Sequence, residues 1–298
     1  MSVSQRLTSS TTVWAVTAIA LLGSLLRFAI PAPFGLLPLL VSFAFVLLHG
    51  ARRYGWPAIA VYVVVVLLVS NILENLSIST GFPFGHYHYT DGGKIFQVPW
   101  FIGIAYASTG YLAWIVGTVL IGEVRRGATW LTTIGTPVVA SFAMVAWDLS
   151  LDPAASTINQ IWIWEHSGGF FGVPLVNFLG WSLTVYLFLQ IFALYLHARG
   201  PQATERPQVS DFQAVLLYAA ITVGFFVTYA TAARTVVTDA VGQTWHTADI
   251  YETSALTTVY GLGFIAVLAF LRIAQRRTEP ADSTPVAAPA DRDRVLAD

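Results

Sequence analysis

Eight apolar stretches fall at roughly 12–30, 34–49, 56–76, 98–121, 130–151, 171–196, 212–231 and 254–272. Each is near the ~20 residues that the hydrocarbon core of a bilayer requires. Inside lipid a backbone N–H or C=O has no water to bond, so runs of this length cross as helices, whose hydrogen bonds close within the segment. Composition agrees. Only 10% of the residues are charged and 56% are hydrophobic, whereas a soluble domain carries about a quarter charged residues. The mean hydropathy of +0.66 is spread along the chain and does not come from a single anchor. The expected fold is an all-α polytopic transmembrane bundle of about eight spans, with residues 1–277 as one helical domain. The first run, Val13 to Ile30, has no small-residue cleavage site and leads directly into another apolar run, so it reads as a span and not a signal peptide.

The loops alternate. Short ones carry arginine (Arg52 and Arg53; Arg125 and Arg126; Arg199 and Arg206), and the long ones, roughly 77–97, 152–170 and 232–253, hold only Lys94 and Arg234 as fixed cations. Loops rich in arginine stay on the cytoplasmic side. That side then also receives Arg6 and the group Arg272, Arg276 and Arg277, and both termini are expected in the cytoplasm, as in a multi-pass protein of the cell membrane. A short turn near Pro31–Pro33 and the three long loops face outward. Arg27 sits near the outer end of the first span, positioned to pair with an acid or to snorkel. Residues 278–298, rich in Pro, Ala and Asp, have no apolar periodicity and read as a disordered cytoplasmic tail.

Several function classes are excluded. The net charge is −1 and no basic run is interleaved with aromatics, so the footprint for a nucleic-acid backbone is missing. Cysteine is absent, which removes disulfides, thiolate metal sites, iron–sulfur clusters and cysteine nucleophiles. There is no GxSxG elbow, no Walker loop and no GxGxxG fingerprint. The remaining chemistry is that of oxygen and nitrogen.

A faint internal repeat runs through the outer loops. Shifted by 75 residues, Gly85–Tyr106 lies on Gln160–Trp181 without a gap, matching Gly93 with Gly168, Phe96 with Phe171, Val98 with Val173 and Pro99 with Pro174. The same shift sets Tyr87 and Tyr89 against Trp162 and Trp164. Both segments read as aromatic-x-aromatic, a glycine turn, then a proline opening the returning helix. A duplicated helix–loop–helix hairpin is the expected origin.

Three carboxylates and several amides gather at one level. Asn71, Glu74 and Asn75 share a face near the outer end of the third span, and Asp148 and Asp152 share one in the fifth, where Pro153 is expected to end the helix. Glu74 and Asp148 each lie about eighteen residues beyond an arginine loop, which at ~1.5 Å per residue sets them at similar depth. Asn177 enters from the outer end of the sixth span. Ionisable groups within spans are costly, and by default they are functional and face the bundle interior; the alternative is that they cap helix ends at the interface. Four of the six histidines, His86, His88, His166 and His246, lie in the outer loops. A lone HxH reads as a hydrogen-bonding pair, the clustered boxes of membrane di-iron proteins are absent, and no metal site is expected. Tyr87, Tyr89, Trp100, Trp147, Trp162, Trp164 and Trp181 suffice for an interfacial belt. Beside carboxylates, such rings also stabilise a cation through their π faces.

The strings ENLSISTGFPFGHYHY (74–89), WDLSLDP (147–153) and WIWEHSGGFFGVPLVNFLGW (162–181) resemble those of the membrane carotenoid hydratases, which include the gamma-carotene hydratases and the bisanhydrobacterioruberin hydratases of bacterioruberin synthesis. The resemblance covers roughly residues 56–275. It implies cofactor-free addition of water to a terminal isoprenoid double bond of an acyclic carotenoid end, giving a tertiary alcohol. The partners it implies are a carotenoid drawn from the lipid phase and other enzymes of carotenoid biosynthesis. Such chemistry needs a strong acid, a wall that tolerates a tertiary cation and a positioned water. Asp148 is the candidate acid, with Asp152 or Glu74 holding the water and Asn71, Asn75 and Asn177 fixing orientation. His86, Tyr87, Tyr89, Trp147, Trp162, Trp164 and Trp181 are the candidates for contact with substrate. The competing reading is a proton-coupled membrane transporter or carrier of a small or lipidic substrate, since buried acids and an internal repeat also suit one.

Overall fold

The computed structural model describes residues 9–26, 36–90, 92–199 and 208–278. Among them the chain forms eight helices: α1 (Ser10–Leu26), α2 (Leu37–Tyr54), α3 (Trp56–Thr80), α4 (Trp100–Leu120), α5 (Trp130–Asp152), α6 (Leu175–Arg199), α7 (Gln208–Thr231) and α8 (Thr247–Thr278). The all-α polytopic membrane bundle stands. Six of the eight, α3 to α8, are long and apolar enough to cross a membrane. By contrast α1 has 17 residues, and α2 ends on Arg52 and Arg53. Arg6, Arg27, Arg206, the Pro31–Pro33 turn and the tail beyond Thr278 lie outside the described residues.

Local chemistry sets the helix ends. Thr129 accepts the amide of Thr132 and caps α5. Gly81, at φ 81°, turns the chain out of α3 in the left-handed region that glycine adopts without penalty. Pro153 does not end the fifth helix. It keeps helical angles and opens a π-helical segment, Pro153–Ile158. Its ring removes one N–H from the ladder, and the chain widens instead of stopping, so that Asn159 N–H reaches back to Ala154 O at 2.9 Å. A second π segment, Thr258–Gly263, interrupts α8.

The side chains sort as lipid requires. Leu68, Ile72, Phe142, Leu179 and Leu271 are each more than half exposed on helix surfaces, an arrangement that water would penalise and hydrocarbon does not. The most enclosed helix is α4, where Tyr106, Tyr111 and Trp114 are fully buried among Tyr62, Phe188 and Phe192. At the arginine-rich end Arg53, expected as a loop cation, is instead inserted: its side chain is 2% exposed and pairs with Asp211 of α7. Arg53 also donates to Tyr54 Oη at 2.8 Å and Thr118 Oγ1 at 3.3 Å. Arg276 lies 3.8 Å from the same aspartate and donates to Val119 O at 2.6 Å, so α2, α4, α7 and α8 are tied together there.

Three short antiparallel pairings stand at the opposite end: β1 (Tyr87–Tyr89) with β4 (Trp162–Trp164), β2 (Lys94–Ile95) with β3 (Val98–Pro99), and β5 (Val236–Thr238) with β6 (Thr244–His246). The internal repeat is visible in them. Phe96 and Phe171, matched by the 75-residue shift, both adopt left-handed φ, 58° and 52°, which non-glycine residues seldom do. The pair Ile95 with Val98 has its counterpart in Phe170 with Val173. Helix α3 packs on α6 and α4 packs on α5, contacts that the shift interchanges. In the β1–β4 ribbon Tyr87 faces Trp164 and Tyr89 faces Trp162, the register that two equivalent strands adopt about a local two-fold axis.

Candidate functional site

The ribbon β1–β4 roofs a cavity of about 190 Å³ between the two hairpins. Strand alternation sends Tyr87 and Tyr89 inward and His88 outward, because successive side chains point to opposite faces. Glu74, in the last turns of α3, is 3% exposed and forms part of the wall. Three phenols donate to it: Tyr87 and Tyr89 to Oε2, the latter at 3.0 Å, and Tyr106 of α4 to Oε1 at 2.7 Å. Burial first, and then the neighbouring Glu74, hold the Tyr87 and Tyr89 hydroxyls well above the ordinary tyrosine range, so both remain neutral donors.

The second hairpin supplies the tryptophans of the aromatic wall, Trp147, Trp162, Trp164 and Trp181. The Tyr106 and Trp181 rings are stacked at 4.4 Å and 11°, and Trp147 meets Trp181 edge-on at 6.0 Å. Trp164 lies 5.0 Å from Tyr87, and Trp162 lies 6.0 Å from Tyr89. The Trp164 Nε1–H is buried without a hydrogen-bond partner among the described residues.

Asp148 and Asp152 are fully buried but do not line the cavity. They stand one layer behind Asn177, which does, and whose Nδ2 donates to Oδ2 of Asp148 at 3.2 Å and to Oδ2 of Asp152. Trp162 Nε1–H donates to Asp152 Oδ1 at 3.1 Å. Of the six carboxyl oxygens of Glu74, Asp148 and Asp152, Asp148 Oδ1 alone has no partner among the described residues.

Glu74, Tyr87, Tyr89, Trp147, Trp162, Trp164, Asn177 and Trp181 are thus brought to one cavity, with Asp148 and Asp152 at its back. Three candidates are not. Asn71 and Asn75 flank Glu74 on the rim of α3: Asn75 donates to Asn71 O at 2.7 Å and accepts the Gln97 amide at 2.9 Å, pinning the β2–β3 turn. On a helix Asn71 lies in the middle of the stripe and Glu74 at one edge, and only that edge, beside Ser70 and Ser77, is buried in the bundle. His86 lies over Gly81, where a Cβ would meet its Nε2 at 2.7 Å, and its ring is 6.2 Å from that of His166. No cluster of three or more metal-ligating side chains exists among the described residues. Tyr106 was missed by motif reasoning, although the 75-residue shift pairs it with Trp181, the ring it stacks on.

A family model described as carotenoid biosynthesis protein matches residues 34–245, a span that takes in every cavity residue. A protein of Haloarcula japonica named bisanhydrobacterioruberin hydratase is 31% identical over 136 residues, which is 45% of this chain and 42% of the relative. The chain therefore matches less than half of the relative's length. No solved structure matches it.

Proposed function

The chain belongs to the carotenoid biosynthesis protein family, and from that premise we propose that it hydrates a terminal isoprenoid double bond of an acyclic carotenoid end, bisanhydrobacterioruberin-like, in the cell membrane. The observation that carries the reading is the juxtaposition of an aromatic cavity, a carboxylate on its wall and a second carboxyl pair at its back. The name of the Haloarcula japonica relative supports the same reaction.

Hydration of a trisubstituted alkene begins with a proton on its less substituted carbon and passes through a tertiary cation. Asp148 is the donor. An oxygen without a hydrogen-bond donor becomes a donor itself once it carries a proton, and Asp148 Oδ1 is the oxygen in that position. Because Asp148 lies one layer behind Asn177, delivery requires the Asn177 amide to turn aside as the alkene end enters, the kind of tightening that catalytic contacts undergo when substrate binds. The cation then sits between the Tyr106–Trp181 stack, Trp147 and the Glu74 carboxylate. Each well-placed ring contributes about 0.5–2 kcal/mol to a desolvated cation. Glu74, fixed by three phenols, supplies a negative group that needs no reorganisation as positive charge develops. Water adds to the cation, and the proton it sheds returns to the carboxyl cluster, leaving the protein unchanged.

The test is pigment analysis of a host that accumulates anhydro-carotenoids, with and without this gene. Pigment gaining one or two tertiary hydroxyls only with the gene is the expected result. An unchanged pigment at verified membrane levels of the protein rejects hydration.

A further inference from the structure

A second cavity, of about 280 Å³, adjoins the first. It lies between the π-helical continuation of α5, α7 and the first turns of α8, and it shares Leu151, Ala155 and Ile161 with the aromatic cavity as a common wall. Its lining is different. Asn159, Thr228, Tyr251 and Ser254 bring four side chains that both donate and accept hydrogen bonds. Asn159 is exposed at the outer rim, whereas Ser254 is 4% exposed and its Oγ has no hydrogen-bond partner among the described residues. The π-helical segment creates the space: the turn opened by Pro153 carries Ala154 and Ala155 onto the chamber wall and ends at Asn159.

We propose that this chamber is the binding site for the water consumed in the reaction, an inference that rests on the hydration reading. A buried cavity holds water when it is roomy and offers each molecule two to four polar partners, and this one has both the volume and an unpaired hydroxyl on its lining. The aromatic cavity has the opposite character and suits the hydrocarbon end. Separating the two reactants has a chemical purpose: a tertiary cation formed amid bulk water is captured at any exposed face, whereas one formed behind a wall meets water from a single direction. Water from the chamber passes the Leu151–Ala155–Ile161 wall. Its oxygen forms the new C–O bond, and its surplus proton goes to the carboxyl cluster vacated by the first step.

The experiment uses membranes carrying the full chain, the anhydro-carotenoid that it hydrates in the host, and D2O. Wild type should give alcohol with deuterium on the neighbouring carbon. Ser254→Leu and Thr228→Leu fill the chamber from two different helices, and neither residue touches the aromatic cavity. In both variants, at membrane levels matched to wild type, hydrated product should fall about tenfold or more. Deuterium should still accumulate in the recovered alkene, because the cation forms and then loses a proton. Hydration at the wild-type rate in both variants overturns the proposal, and so does loss of hydration and exchange together. A wild-type protein that neither hydrates nor exchanges sinks the hydration reading itself, which separates the two failures.

Discussion

Replacing Asp148 by asparagine removes a proton and little else. The amide oxygen takes the place of Oδ2 and keeps the 3.2 Å bond from Asn177. The amide nitrogen takes the place of Oδ1, where no partner stands among the described residues. One unpaired buried group replaces another, so the change in stability should stay within about 1 kcal/mol. The activity loss is of another size. A positioned general acid accelerates proton transfer by about 10²–10⁴-fold, roughly 3–5 kcal/mol of barrier, and an amide cannot stand in for it. Asp148→Asn should therefore accumulate in membranes and melt in detergent like wild type while its hydroxylated pigment drops to background. Asp152→Asn keeps one acceptor oxygen, enough for Trp162 Nε1–H or Asn177 Nδ2 but not for both, so it should be damaged yet retain part of the turnover. The assay is the hydroxylated fraction of extracted pigment at matched membrane levels. Near-normal product from Asp148→Asn refutes the assignment, because a group that only satisfies helix-end hydrogen bonds is replaced by asparagine without loss; Glu74 then becomes the acid to test.

Glu74→Leu leaves the Tyr87, Tyr89 and Tyr106 hydroxyls without their acceptor, at about 1–3 kcal/mol each where no alternative exists. Glu74→Gln keeps one oxygen and the shape, so thermal unfolding in detergent should fall much further for leucine, and equal melting of the two variants would contradict the three-phenol clamp. A Cβ at Gly180 would lie 2.6 Å from Pro83 O and 2.7 Å from Phe84 Cδ1. Gly180→Ala should then cost about 1–3 kcal/mol by overpacking and shift the segment leading into β1, lowering Tm and product together; a variant as stable and active as wild type counts against the packing described. Because the chain has no cysteine, single cysteines report topology cleanly: Gly169→Cys, in open space at the ribbon end, should react with an impermeant maleimide on intact cells, and exposed Arg126→Cys only after permeabilisation. Labelling of Arg126→Cys on intact cells reverses the orientation.

Hydrophobicity acts locally and nearly additively along a span, which is why the apolar runs of the sequence by itself determined the all-α membrane bundle. Helical periodicity likewise placed Asp148 and Asp152 on one face, since four residues make about one turn whatever the helix packs against. The aromatic-x-aromatic strings and the 75-residue shift determined which loops resemble one another. Tertiary structure decided what meets what. Tyr106 reaches Glu74 from another helix, and Asp148 stands behind Asn177 instead of at the cavity, because distances between residues of different helices follow from crossing geometry that no local pattern encodes. His86 and Tyr87 are neighbours in sequence, yet only Tyr87 lines the cavity, and that choice was made by the pairing of β1 with a strand far along the chain. Arg53 looked like a loop cation until α7 brought Asp211 against it. Pro153 carried a strong local stop signal, and the surrounding helices overrode it by accepting a wider turn, which opened the space for the second cavity.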